Sequence, residues 1–281
     1  MNADAMEASA NAVLEILNLK DPAMGSMQDA DDQGHRHDLL CKLHQYFTCR
    51  RTPGWWMSGE DKQYITDYVK QYCADGLETV MKTAEEVVQQ TFLFRFPWDM
   101  ERSQIPVTFE GSVNWSHIPD QDAEWAYMLN RHRYWVALGQ AYAMTGDEKY
   151  AEAFCRQLED WIDRNPVPEE PTTDTLTWRP IEAGLRSANW IKALRYMIGS
   201  PSLTPLLLGK ALISLHEHGE YLAASFTSWK HISIFTSTGS IWLLPSPAGS
   251  ISATGVFWKR AVYTISHCTS PSLRVRHDGG N

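Results

Sequence analysis

The side chains best able to hold or transform a ligand fall into a few patterns. Glu182, Arg186 and Asn189 recur at i, i+4 and i+7, which lays a carboxylate, a guanidinium and an amide along one stripe of an otherwise apolar helix. Two readings follow from that spacing. One is an exposed Glu–Arg pair, stabilising its helix by roughly a few tenths of a kcal/mol. The other is an arginine that reads a sulfate or carboxylate, a task its planar guanidinium performs through paired hydrogen bonds. Asp122 or Glu124 with Glu182 would supply the two carboxylates of a glycoside hydrolase, although nothing in the spacing singles them out. Phe94, Phe96, Trp98 and Trp115 lie in one aromatic stretch and form either a platform for sugar rings or a plug at the end of a helical stack. His35 and His37 sit in a polar stretch, and His216 and His218, two apart, do not share a helix face. Neither pair reads as a metal site, and no cofactor is expected.

Composition narrows the partners. The net charge is −9 and no basic run is present, which argues against nucleic acid and against an anionic membrane surface. An acidic polysaccharide stays possible, because a cleft can be basic on an acidic protein. Twelve tryptophans suit both a core and a sugar-binding cleft. Cys41, Cys49, Cys73, Cys155 and Cys268 show no C-x-x-C spacing and read as free thiols. No stretch is long and apolar enough to span a bilayer. The first twenty residues lack a basic start followed by an apolar run, so the chain as written is expected in the cytoplasm, with export an alternative for a polysaccharide-degrading protein. Nothing indicates an oligomeric state.

Hydrophobic periodicity places these residues on helices. Ala123 to Thr145 reads as one long helix: Trp125, Met128, Leu129, Trp135, Val136 and Tyr142 share an arc with His132 near its middle, and Tyr127, Tyr134, Leu138 and Ala141 form a second apolar strip. Only a narrow polar wedge with Asn130, Arg133 and Gln140 remains, so this helix must lie between neighbours. Taken alone, His132 on that arc reads as a satisfied core histidine. Asp147 caps a second helix that folds back along the first, Pro180 opens a third and Thr204-Pro205 a fourth. Before them come an amphipathic helix within residues 1–20, a polar linker from Asp21 to Asp38, and helices over Leu39–Phe47, from Ser58 or Gly59 to Tyr72, and over Leu77–Gln90. Thr91 to Asp122 has no helical period, as expected of a functional or cleft-rim segment. Helix hairpins in series, without a fixed-length repeat, predict an all-α fold of the (α/α) toroid kind.

Several separate motifs then point to a family. TFLFRFPWDMER, NWSHIPDQDAEWAYMLNRHRYWVALGQAYAMTGDEKYAEAF, WRPIEAGLRSANWIKAL and LISLHEHGEYL occur in that order. Together they resemble the N-terminal α-helical domain of heparinase II/III-like polysaccharide lyases, the heparan-sulfate lyases of the heparinase III type most of all. The resemblance covers roughly Leu39 to Tyr221. It implies an incomplete (α/α) toroid, followed in whole family members by a C-terminal β-sandwich that this chain lacks, with an acidic polysaccharide held between them. The implied reaction is β-elimination: an Asn, His or Arg neutralises a uronic carboxylate, a Tyr or His removes the C5 proton, and an acid protonates the departing oxygen, with no metal needed. The NRH motif implies that Asn130, Arg131 or His132 faces the cleft. The substrate-binding set expected on these grounds is Asn130, Arg131, His132, Trp115, Glu182 and Arg186.

Beyond Tyr221 the pattern departs. Trp229 and Gly239 match family positions, but Ser237 and Thr238 occupy those that should neutralise the carboxylate. Ser and Thr crowd the chain from Ser225, and acidic residues vanish until Asp278. The expected organisation is therefore 1–38 as helix and linker, 39–225 as the toroid domain and 226–281 as a divergent tail, out of its native reading frame from near Trp229. The family's catalytic Tyr and sheet-domain His would lie past Asn281, so no catalytic residue is assigned. The nucleotide sequence tests the idea: it fails if no other frame downstream of Trp229 encodes the missing helices and β-rich domain. The competing expectations are a non-catalytic carbohydrate-binding or non-functional fragment and a helical-toroid glycoside hydrolase.

Overall fold

A computed structural model describes residues 3–17, 27, 29, 31, 36–49, 59–94, 103, 105–169 and 175–228. The tail from Trp229, together with His35, Phe96 and Trp98, lies outside the described residues, as does the side chain of His37. Among the described residues the protein is all-α apart from one small ladder. Its helices are α1 (Ala3–Ile16), α2 (Arg36–Cys49), α3 (Gly59–Tyr72), α4 (Ala74–Val88), α5 (Ala123–Asn130), α6 (Tyr134–Thr145), α7 (Glu148–Arg164), α8 (Pro180–Met197) and α9 (Pro205–Ser228). Two short strands, β1 (Thr91–Phe92) and β2 (Val107–Thr108), pair antiparallel and bring the aromatic segment back over the end of α4.

Local chemistry sets most boundaries. Asp147 caps α7 by accepting from the Lys149 amide, and Gly146 before it takes the left-handed conformation (φ 72°) that ends α6. Pro180 stands at the first turn of α8, where its missing N–H leaves no bond unmade. Helix α6 sits between α4, α7 and α8, as a helix apolar on two sides must. Its crossing with α8 is close: a Cβ on Gly139 would stand 2.7 Å from the Tyr196 ring.

One expectation fails at the centre. Ala123 to Thr145 is not one helix but two, because His132 adopts φ 51° and breaks the run between Asn130 and Tyr134. The main core lies around this break, with Trp135, Trp161 and Trp190 fully buried. A second cluster joins α1 and α2 to α9 through Val13, Leu40 and Leu43. Most of Asp21–Asp38 is outside the described residues, but Met27, read as linker, is fully buried in this second cluster, and α2 already begins at Arg36.

Candidate functional site

The break between α5 and α6 lies against two environments of opposite character. On one side is a sealed aromatic core. His132 stacks on Trp135 at 3.8 Å and faces Trp190, whose indole N–H donates to His132 Nδ1 at 2.8 Å. The accepting Nδ1 makes His132 the neutral Nε2–H tautomer, and Nε2 has no hydrogen-bond partner. Burial, reinforced by the charge on Arg186 and by His218, holds its pKa well below the usual histidine value.

Arg186 is fully buried in the same core, over the Trp161 ring at 4.1 Å. It donates to the carbonyls of Asn130 (3.1 Å) and Thr177 (2.8 Å) and to His218 Nε2 (2.8 Å). His218 Nδ1 donates to the Ser214 carbonyl at 2.6 Å, so this imidazole too is neutral. Burial lowers the Arg186 pKa to about 9, with Glu182 opposing the shift, and burial together with Arg186 lowers that of His218. Asn130 is equally enclosed. Its Nδ2 donates to the Trp115 and Ala126 carbonyls, both at 2.8 Å, and its Oδ1 accepts from the Trp161 indole at 3.0 Å. Trp115 is 2% exposed, with its indole N–H on Asp160.

On the other side of the break a cavity of about 280 Å3 opens between α4, β1, the α5–α6 junction and α8. Its apolar wall includes Phe92, Phe94, Tyr134 and Leu185. Three cations, Arg131, Arg133 and Lys192, line it with a single carboxylate, Glu86. Arg131 is 6% exposed and clamped: Nη2 bonds Glu182 at 2.8 Å and Nη1 meets Glu124 at 2.8 Å. Glu182, wholly buried, also meets Arg179 at 3.3 Å, and Arg179 covers the Tyr127 ring at 3.8 Å. Asn189 Nδ2 donates to the Arg131 carbonyl at 2.8 Å, tying α8 to the break beside the cavity it also lines. Tyr134 cannot serve here as a base, since its hydroxyl donates to the Leu129 carbonyl at 3.0 Å and burial raises its pKa well above that of a free phenol.

Of the six residues expected to contact substrate, the structure places Arg131 on the cavity and Asn130, His132, Trp115, Glu182 and Arg186 in the core behind it. The exposed-pair reading of Glu182 and Arg186 is overturned: both are fully buried, and Glu182 pairs with Arg131 and Arg179 rather than with Arg186. Arg133, Lys192 and Glu86 were not foreseen at the site. Their one visible signal is that Leu185, Ala188 and Lys192 follow helical spacing along α8. Among the described residues no group of three or more His, Cys, Asp or Glu could hold a metal ion, and no helix is long and apolar enough to cross a membrane.

The helical fold matches known proteins. Residues 13–242 fit the family model of the heparinase II/III N-terminus, and the chain belongs to that family. It is 25% identical over 253 residues to a heparin-sulfate lyase of Bacteroides stercoris, covering 82% of this chain and 34% of that protein. To the heparin-sulfate lyase of Pedobacter heparinus it is 30% identical over 169 residues, 60% of this chain and 25% of the other. The crystal structure of the heparan sulfate lyase HepC from Pedobacter heparinus superposes with a TM-score of 0.60 at 22% identity, over 80% of this chain and 33% of that one. A heparinase III with methylated lysines gives a TM-score of 0.61 at 22% identity, over 90% and 39%. The chain thus spans about a third of the length of the curated relative that it matches over most of its own length.

Proposed function

We propose that this chain is the glycan-gripping helical part of a polysaccharide lyase acting by β-elimination on a uronic-acid polysaccharide such as heparan sulfate. The observation that carries the reading is the cavity: Arg133 and Lys192 join Arg131, itself paired with Glu124 and Glu182, against one lining carboxylate, Glu86, on a chain whose net charge is −9. Such a concentration of positive charge beside an aromatic wall suits a sugar ring bearing carboxylate or sulfate. A volume of about 280 Å3 lies just below the usual range of ligand pockets, roughly 300–1,000 Å3, and suits one sugar unit rather than a run of them.

In β-elimination the C5 proton becomes removable once the neighbouring carboxylate is neutralised, and Arg133 and Lys192 are the cavity cations proposed to supply that neutralisation. Tyr134, the one tyrosine among the described residues that line the cavity, is tied down by its bond to the Leu129 carbonyl and is not set up to take the proton. By itself the chain is therefore expected to bind the polysaccharide and not to cleave it. A hydrolase reading draws little support, because Glu124 and Glu182 are ion-paired to Arg131 and neither is placed as a proton donor.

Incubation with heparan sulfate, chondroitin and alginate, followed by the absorbance of unsaturated uronide and by a calorimetric titration, tests this. Binding without unsaturated product is expected. Absence of binding to all three polymers refutes the reading, and robust formation of unsaturated product refutes the part that denies this chain a base.

A further inference from the structure

Arg131 and Arg133 both line the cavity, yet on a continuous helix residues two apart point about 200° away from one another. What lets them converge is His132. Its left-handed backbone (φ 51°) interrupts the helix between them and starts α6 on a new course. A residue with a Cβ occupies that region at a cost of roughly 5- to 30-fold in population, so something must hold it there. The hold is visible: the imidazole lies on Trp135 at 3.8 Å, accepts the Trp190 N–H at 2.8 Å and meets the edges of Trp115 and Trp161 at 5.3 and 5.4 Å. The strain sits at the cavity, where strained backbone commonly serves a site.

The arginines are not equivalent. Arg131, nine-tenths buried, is fixed by Glu124 and Glu182, and its Nε has no hydrogen-bond partner. Arg133 is exposed and immediately precedes α6, Lys192 is half-buried on α8, and both line the cavity.

We propose that residues 131–133 form a preformed anion-gripping turn in which Arg133, with Lys192, meets the sulfate or carboxylate of one sugar unit, Arg131 provides fixed charge behind them, and His132 is the positioning residue. The proposal deepens the polysaccharide reading and rests on it for the identity of the ligand. The geometry itself concerns only an anion.

Calorimetric titration with a heparan-sulfate tetrasaccharide, and thermal shift with inorganic sulfate, test it on the wild type and three variants. Arg133→Gln is expected to weaken the tetrasaccharide about tenfold and to abolish stabilisation by sulfate. His132→Gly, which takes the left-handed turn freely, is expected to melt earlier yet bind within about threefold of wild type. His132→Ala is expected to bind roughly 5- to 30-fold more weakly than His132→Gly, at unchanged helical circular dichroism. Should His132→Ala fail to fold, Trp190→Phe, which removes the N–H held by His132, must show the same loss of affinity. Equal affinities for the Ala and Gly variants, or wild-type affinity in Arg133→Gln, overturn the turn. A wild type that ignores the tetrasaccharide but is stabilised by sulfate through Arg133 sinks the polysaccharide reading and leaves the turn standing.

Discussion

Arg186 and Arg133 carry the same guanidinium to opposite sides of one helix break, and the contrast shows what burial does to a charge. Arg186, with no exposed surface, ties together the Asn130 carbonyl at the end of α5, the Thr177 carbonyl before α8 and the His218 ring of α9. Its charge acts as a structural joint, softened by aromatic faces on Trp161 and Trp178. Arg133, exposed at the start of α6, faces a cavity large enough for a ligand. Polar residues of the core are therefore expected to govern stability, and those of the cavity, on the function proposed above, to govern recognition.

The largest test of that division is Arg186→Met, which keeps most of the volume but strips the donor from two carbonyls and an imidazole. A loss of about 3–5 kcal/mol in unfolding free energy is expected. Urea denaturation of Arg133→Gln beside it should show a change within about 0.5 kcal/mol. Equal effects in the two variants would erase the contrast.

Acid should attack the same side. His132 and His218 are neutral in the fold with lowered pKa values, whereas in the unfolded chain each titrates near the ordinary 6.5. The unfolded state then binds more protons below that value, so stability is full above about pH 6.5 and falls as pH drops towards the lowered native values. With two such groups the slope approaches roughly 2.7 kcal/mol per pH unit. The ordinary pKa values of arginine and lysine side chains lie far above this window. Urea midpoints across the window should fall while the affinity of the remaining folded protein for sulfate stays flat; a flat midpoint would place the two imidazoles outside the core.

This split also explains what could be read from the sequence. Boundaries written in local chemistry were legible: Asp147 as a cap, Pro180 and Pro205 at first turns, and the sandwiching of Tyr134–Thr145 between neighbours by its two apolar strips. The break at His132 was not, because its left-handed backbone is held by Trp190 from α8, 58 residues away. Glu182, Arg186 and Asn189 looked like a surface stripe for the same reason. Their partners, Arg131, His218 and the Arg131 carbonyl, come from other segments and turn a polar stripe into a buried network. The cavity was invisible in outline, since four separate stretches build it.

A smaller effect is expected where core and cavity share a helix crossing. Gly139 lets α6 approach α8, and a methyl group there would stand 2.7 Å from Tyr196 Cδ2 and 2.9 Å from its Cβ. Because the clash includes Cβ, rotating the ring does not relieve it. Gly139→Ala should cost about 1–3 kcal/mol and weaken anion binding as well, since α8 carries Asn189 and Lys192 to the cavity. A shift in stability without one in affinity would show that the cavity tolerates movement of the crossing.

The smallest change in stability, with a large change in recognition, is expected for Lys192→Glu. Lys192 is half-buried on α8 and lines the cavity, whereas the stacked tryptophans Trp135, Trp161 and Trp190 are fully buried, so the folded state should move by about 1 kcal/mol or less. Along the cavity lining the count goes from three cations and one carboxylate to two of each, and since Arg131 is already paired with Glu124 and Glu182, an incoming anion then meets Arg133 beside two carboxylates. Affinity for a sulfated oligosaccharide should then drop by at least about tenfold, and the steep loss of binding with added salt should flatten, because screening has less attraction left to weaken. Lys192→Gln should fall between the variant and the wild type in both measures. Binding that survives the glutamate with its salt dependence intact would mean that the anion is held elsewhere on the chain, and that the cavity, for all its charge, is only the gap between helices.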